Sequence, residues 1–99
     1  CAIKYDDILY LESSKRLIYL HLTDEQKENK CFYAVMAELE EQLALAGFLL
    51  GHKSYLVNMR YIEKLNYNGV VLVNKEELPI SKKRYSEIKA LHLQWRSRQ

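Results

Sequence analysis

Asp7-Ile8-Leu9-Tyr10-Leu11-Glu12-Ser13 and Arg16-Leu17-Ile18-Tyr19-Leu20-His21-Leu22 are two aliphatic and aromatic runs flanking the polar tip Ser13-Ser14-Lys15-Arg16. Two β-prone runs around a short polar tip read as a hairpin. Several positions are apolar on both faces, so both strands are expected to be covered on each side. A third strand is expected to end near Cys31. Further along, Phe48–Gly51, Tyr55–Asn58, Ile62–Asn66 and Val70–Val73 read as short strands, with Asn68-Gly69 as a strong turn signal. Asn74–Glu77 forms another polar tip. Pro79 within Leu78-Pro79-Ile80 lacks a donor for a sheet ladder and restricts that strand to an edge.

Two segments break this β texture. Phe32, Met36, Leu39, Leu43 and Ala46 recur at alternating intervals of four and three, which predicts one helical stripe with Glu38, Glu40 and Glu41 outside it. Gly47 is placed to stop that helix. Its length of about two heptads fits a core-facing helix better than a coiled coil. Ser81 is a candidate N-cap for a last helix presenting Tyr85, Ile88, Leu91 or His92, and Trp95 on one side. Lys82-Lys83-Arg84 falls in its first turn, where cations oppose the helix dipole. A bound anion would account for them.

The chain has 99 residues, 48% hydrophobic and 28% charged, with Gly 3 and Pro 1. This is the composition of one small globular domain, not of a linker, a collagen or a low-complexity chain. No apolar run reaches the roughly 20 residues of a membrane span, and the first residues lack a signal-peptide pattern. The start at Cys1 suggests a fragment of a longer protein, one domain covering residues 1–99. Cys1 and Cys31 do not make a disulfide framework and read as thiols in a reducing compartment, hence a cytoplasmic location.

Enzyme classes find little support. The sequence lacks G-x-S-x-G, a Walker loop, H-E-x-x-H and Cys-x-x-Cys, and His21, His52 and His92 have no ligand-like spacing. His21 alternates with Tyr19 and Leu17 along a strand face, as a packed or surface imidazole does. No catalytic residue, metal or cofactor is expected.

Charge is more informative when divided. The formal net of +2 hides −4 in residues 1–50 and +6 in residues 51–99. The cations gather at three tips: Lys15-Arg16, His52-Lys53-Ser54 and Lys82-Lys83-Arg84. Each adjoins a strand, so a small sheet can bring all three to one edge and offer them to a polyanion. Lysines, Ser54 and backbone N–H groups suit phosphates, Arg16 or a lysine suits guanine O6/N7, and His52 or Asn58 suits a base acceptor. His52 and Asn58 are alternatively scaffold residues that shape the loop. Of the eight tyrosines, Tyr55, Tyr61 and Tyr85 adjoin basic residues, while Tyr10, Tyr19 and Tyr61 also read as half-buried strand residues.

The core His52-Lys53-Ser54-Tyr55-Leu56-Val57-Asn58 followed by Ile62 resembles the LytTR domain, the LytR/AgrA-type DNA-binding domain of bacterial response regulators. Asp7-Ile8-Leu9-Tyr10-Leu11-Glu12-Ser13 is similar to its early strand. Glu38-Leu39-Glu40-Glu41-Gln42-Leu43 with Gly47-Phe48 is similar to its central helix. Leu78-Pro79-Ile80-Ser81 with Lys83 or Arg84 is similar to its closing segment. These motifs stand in the family's order over about 90 residues.

The resemblance implies a mainly β fold, an elongated arrangement of short antiparallel strands (a LytTR-like β-β-β sandwich) with one central helix and a C-terminal helix. It implies that loops, not a recognition helix, enter the grooves of double-stranded promoter DNA at paired direct repeats, bending the duplex. It further implies an N-terminal receiver domain in the full-length protein and a homodimer on DNA, with no membrane association. The family's contact loops fall on Ser14, Lys15 and Arg16; on His52, Lys53 and Ser54, with Lys53 facing DNA; and on Ser81, Lys82, Lys83 and Arg84, with Lys83 at a base edge. Asn58 completes the candidate DNA-binding set. The alternative from the residues alone is a protein-interaction or dimerisation module using the acidic helix face.

Overall fold

A computed structural model describes residues 4–24 and 31–99. Strand β1 (Ile8–Ser14) pairs antiparallel with β2 (Leu17–Leu22), and β2 with β3 (Cys31–Tyr33). On its other side β1 pairs with β5 (Tyr55–Asn58), which pairs with β4 (Phe48–His52). The result is a five-stranded sheet of order β3-β2-β1-β5-β4. A second sheet holds β6 (Ile62–Asn66), β7 (Gly69–Leu72) and β8 (Glu77–Leu78) in that order. Its edge strand β8 ends just before Pro79, as a residue without an N–H requires.

The double-sided apolar character of β1 has a structural cause. Between Ile8 and Tyr10 the register slips by one residue against Leu22 and His21, a bulge that adds a residue to β1. Leu9 and Tyr10 therefore join the same core, while Ile8 and Leu11 join the one on the opposite face. On the outer face Ile8, Leu11, Ile18, Phe48 and Leu56 pack under helix α1 (Met36–Leu43) through Leu43 and Leu39. On the inner face Leu9, Leu49 and Val57 meet Val70, Leu72 and Leu78 of the second sheet and Ile88 of helix α2 (Tyr85–Ser97). The layers are α1, the five-stranded sheet, then the three-stranded sheet with α2. The described residues extend over 35 × 26 × 24 Å.

Several expectations shift. The third strand runs from Cys31 to Tyr33 rather than ending near Cys31. Phe32 belongs to β3, so the first helix starts at Met36 and its last expected stripe residue, Ala46, lies in a 3-10 turn. Phe32 happens to be in phase with the helical stripe, but β3 is held by its ladder to Leu17–Tyr19. Gly47 does end this segment, at φ 92°, a left-handed conformation that costs a side-chain residue about 1–2 kcal/mol. Ser81 makes no side-chain cap. Lys82–Arg84 forms a separate 3-10 turn before α2 begins at Tyr85. Along α2, Ile88 and His92 are buried and Trp95 packs beside them, while Leu91 is exposed. Cys31 is an exposed free thiol; Cys1 and the residues leading into β3 lie outside the described residues.

Candidate nucleic-acid interface

The β1–β2 tip is a two-residue turn. Ser14 is opposite Leu17, leaving Lys15 and Arg16 between them at φ 51° and 72°. Both are left-handed, as the turn that matches the twist of a tight hairpin demands. Asn-Gly is the pair this geometry favours. A long cationic side chain at each position accepts about 1–2 kcal/mol of strain per residue and places both charges at the outermost point of the sheet. Ser14, Lys15 and Arg16 are all exposed.

The β4–β5 tip is built by hydrogen bonds instead. Leu50 pairs with Leu56 and His52 with Tyr55, so Gly51 is an extra residue in β4. This bulge turns the Gly51 carbonyl out of the ladder, where it accepts the Ser81 N–H at 2.7 Å. The Ser54 N–H donates to His52 Nδ1 at 3.2 Å. That bond needs an unprotonated Nδ1 and leaves the neutral ring's hydrogen on Nε2, a donor for an acceptor outside the loop. Lys53, between them, is exposed. The tip is joined to its neighbour by the Ser13 N–H, which donates to the Ser54 carbonyl at 2.8 Å.

The third segment is fastened to the second. Besides the Ser81–Gly51 bond, Arg84 Nη1 donates to the Leu50 carbonyl at 3.3 Å, and Nε and Nη2 lie 3.4 and 3.5 Å from the Glu87 carboxylate. Arg84 is half-buried and engaged with protein groups, so it acts chiefly as a strut between α2 and β4. Lys82 and Lys83 remain exposed. The three basic tips are thus brought to one end of the molecule through named backbone bonds.

Asn58 is not among them. It is 2% exposed, at the opposite end of β5. Its Nδ2 donates to the Tyr5 and Ile8 carbonyls at 3.2 and 3.0 Å, and its Oδ1 accepts the Arg60 N–H at 3.3 Å. With its amide committed inside the fold, Asn58 is placed as the scaffold alternative expects, away from the three basic tips. Tyr61 joins this scaffold end through its hydroxyl, which donates to the Asp6 carbonyl.

Behind the interface, Tyr10 is buried, stacks on His21 at 4.2 Å and donates to Glu76 Oε2 at 2.8 Å, tying the two sheets together. Burial first, and then the Glu76 carboxylate, push its phenol well above the usual tyrosine range. Tyr55 packs between Tyr10 and His52, and its hydroxyl is likewise held protonated, chiefly by burial. Its ring is part of the loop's support. Sequence reasoning missed Tyr67, half-exposed in the β6–β7 turn with Lys82 over its ring at 5.2 Å. Its only sequence signal was an aromatic beside the Asn68-Gly69 turn.

Among the described residues no three His, Cys, Asp or Glu side chains gather as a metal site, and no helix is long and apolar enough to cross a membrane. No curated protein matches the chain. A solved structure, the LytTr DNA-binding domain of a methyl-accepting/DNA response regulator from Bacillus cereus, shares the fold. Its TM-score is 0.76 at 20% identity, over 90% of this chain and 84% of that one. The family model described as the LytTr DNA-binding domain matches residues 1–92. Sequence motifs, sheet topology and family match agree: the chain belongs to the LytTR family of DNA-binding domains.

Proposed function

We propose that this domain is the sequence-specific output module of a bacterial two-component response regulator and controls transcription from promoter DNA. The observation that carries the proposal is the convergence of Lys15-Arg16, His52-Lys53-Ser54 and Lys82-Lys83 at one end, through the Ser13–Ser54 and Ser81–Gly51 bonds. In this reading the Lys15-Arg16 turn and the His52–Ser54 loop enter the grooves, and Lys83 and Lys53 reach base edges. Ser14, Ser54, Ser81 and Lys82 hold phosphates. Arg84 sets the distance between the second and third loops. Paired direct repeats would be met by two copies, brought together by a receiver domain preceding residue 1, in the cytoplasm. The domain performs no chemistry of its own.

The test is fluorescence anisotropy with duplex DNA across a salt series. A cationic interface of this kind should lose affinity with a slope of about −0.9 per phosphate neutralised in a plot of log K against log [salt]. A flat plot would sink the proposal. Absence of binding to any duplex at micromolar protein would favour an interaction module working through the Glu38 and Glu41 face of α1.

A further inference from the structure

The β6–β7 turn, Tyr67-Asn68, belongs to none of the three tips, yet the fold carries it to the same end. Gly69 opens β7 opposite Asn66. A Cβ at Gly69 would lie 2.6 Å from the Leu78 carbonyl oxygen, so only glycine lets the turn close this tightly onto Leu78 and Pro79. That backbone leads directly into Ser81 and Lys82. The turn is further fixed by Asn66 Oδ1, which accepts the Asn68 N–H at 2.9 Å.

Lys82 meets Tyr67 there. Its Nζ sits 5.2 Å from the ring centroid, while Tyr85 presses edge-on against the same ring at 5.6 Å and 87°. A ring face orients an ammonium without cancelling its charge. The other turn of this sheet offers the contrast. Lys75, at the far end of β7, lies 2.8 Å from both oxygens of Glu63, and that contact holds the Glu63 carboxyl below its ordinary range. One turn pairs its cation with a carboxylate; the other sets its cation against an aromatic ring. Asn68 is exposed at the crest, and the turn itself carries no acid. Glu77 shares a shallow cleft with Asn66 and Asn68 but pairs with Val71, two residues in from Gly69.

We infer that the Tyr67-Asn68 turn is a fourth DNA-contacting element, which lies against the phosphate backbone beside the third loop and holds Lys82 in position for it. This rests on the DNA-binding reading above. The Tyr67 hydroxyl and Asn68 amide are donors for phosphate oxygens, and they carry no base information.

The experiment is a charge series read by anisotropy on a duplex carrying the selected site and on a random duplex. Asn68→Asp should weaken, and Asn68→Lys strengthen, binding to both duplexes by about threefold to tenfold near physiological salt. The control pair is Leu45→Asp and Leu45→Lys, at a fully exposed position (99%) on the scaffold end near Asp6 and Asn58. Beyond the Debye length of about 8 Å it should move affinity much less. Tyr67→Phe should keep the ring's hold on Lys82. Tyr67→Ala and Lys82→Ala should each weaken binding, with the double variant losing less than the two effects combined. If the position-68 pair moves affinity no more than the position-45 pair, the inference is overturned although the domain still binds. If the unmodified chain binds no duplex, the DNA-binding reading falls and the inference with it.

Discussion

The two ends of strand β5 are written in one short motif and do opposite work. At its start, His52-Lys53-Ser54 forms a surface loop in which the His52 ring accepts the Ser54 N–H and Lys53 is left exposed. About 13 Å away along the strand, Asn58 turns inward and satisfies two carbonyls and one N–H. The difference teaches that a motif's polar residues divide by register. Those in the bulged tip lie at the surface beside the other basic tips, and the one facing the fold serves the fold.

Asn58→Ala gives the sharpest break. The Ile8 carbonyl would lose its Asn58 donor, the Tyr5 carbonyl would keep only the Ile8 N–H, and the Arg60 N–H would lose its acceptor, costing roughly 2–4 kcal/mol of stability. Urea denaturation should show the midpoint fall, while the folded fraction binds DNA with unchanged salt slope. A variant of normal stability and weakened binding would place Asn58 with the loop after all.

Lys53→Ala is the mirror experiment at the other end. Lys53 is exposed, so stability should stay within about 0.5 kcal/mol. Specific binding should weaken by about 1–3 kcal/mol if the ammonium reads a base. Equal losses on specific and random duplex would reduce it to a phosphate contact.

Much of this division could be read before any coordinates. The strands, the Gly47 stop, the edge strand before Pro79 and the three basic tips all carry local signals of alternation, turn chemistry or charge. The rest depends on partners far away in the chain. Ser81 reads as a helix cap because nothing local reveals that its N–H meets Gly51. Arg84 reads as one of three equal cations because its acceptor, the Leu50 carbonyl, is 34 residues earlier. Phe32 fits a helical stripe by phase, and only its pairing with Ile18 makes it a strand residue. Asn58 looks like a site residue because sequence shows polarity but not direction.

The β1–β2 tip extends the comparison to strain. Replacing Lys15-Arg16 by Asn-Gly should stabilise the domain by about 1 kcal/mol, since both left-handed positions would hold residues that favour them. The same change removes two cations and should shallow the salt slope by up to roughly two phosphates' worth. Stability rising while binding falls would identify a turn chosen for charge against its own conformational preference. A double variant that binds normally would show the tip to be held away from DNA.

The smallest effect concerns pH at the scaffold end. His92 is 9% exposed on α2, in a hollow with Met59 and Arg60, and burial followed by the nearby Arg96 charge lowers its pKa below the ordinary 6.5. Glu63, also lining that hollow, is the carboxylate there, and Lys75 already holds it. A lowered folded pKa means the unfolded chain takes the proton more readily. The stability contributed by neutral His92 is therefore present above pH 6.5 and is lost as pH falls from there toward the folded value. A modest drop in Tm over that interval, absent in His92→Gln, is the expected result. The same Tm slope persisting in the variant would assign the titration elsewhere.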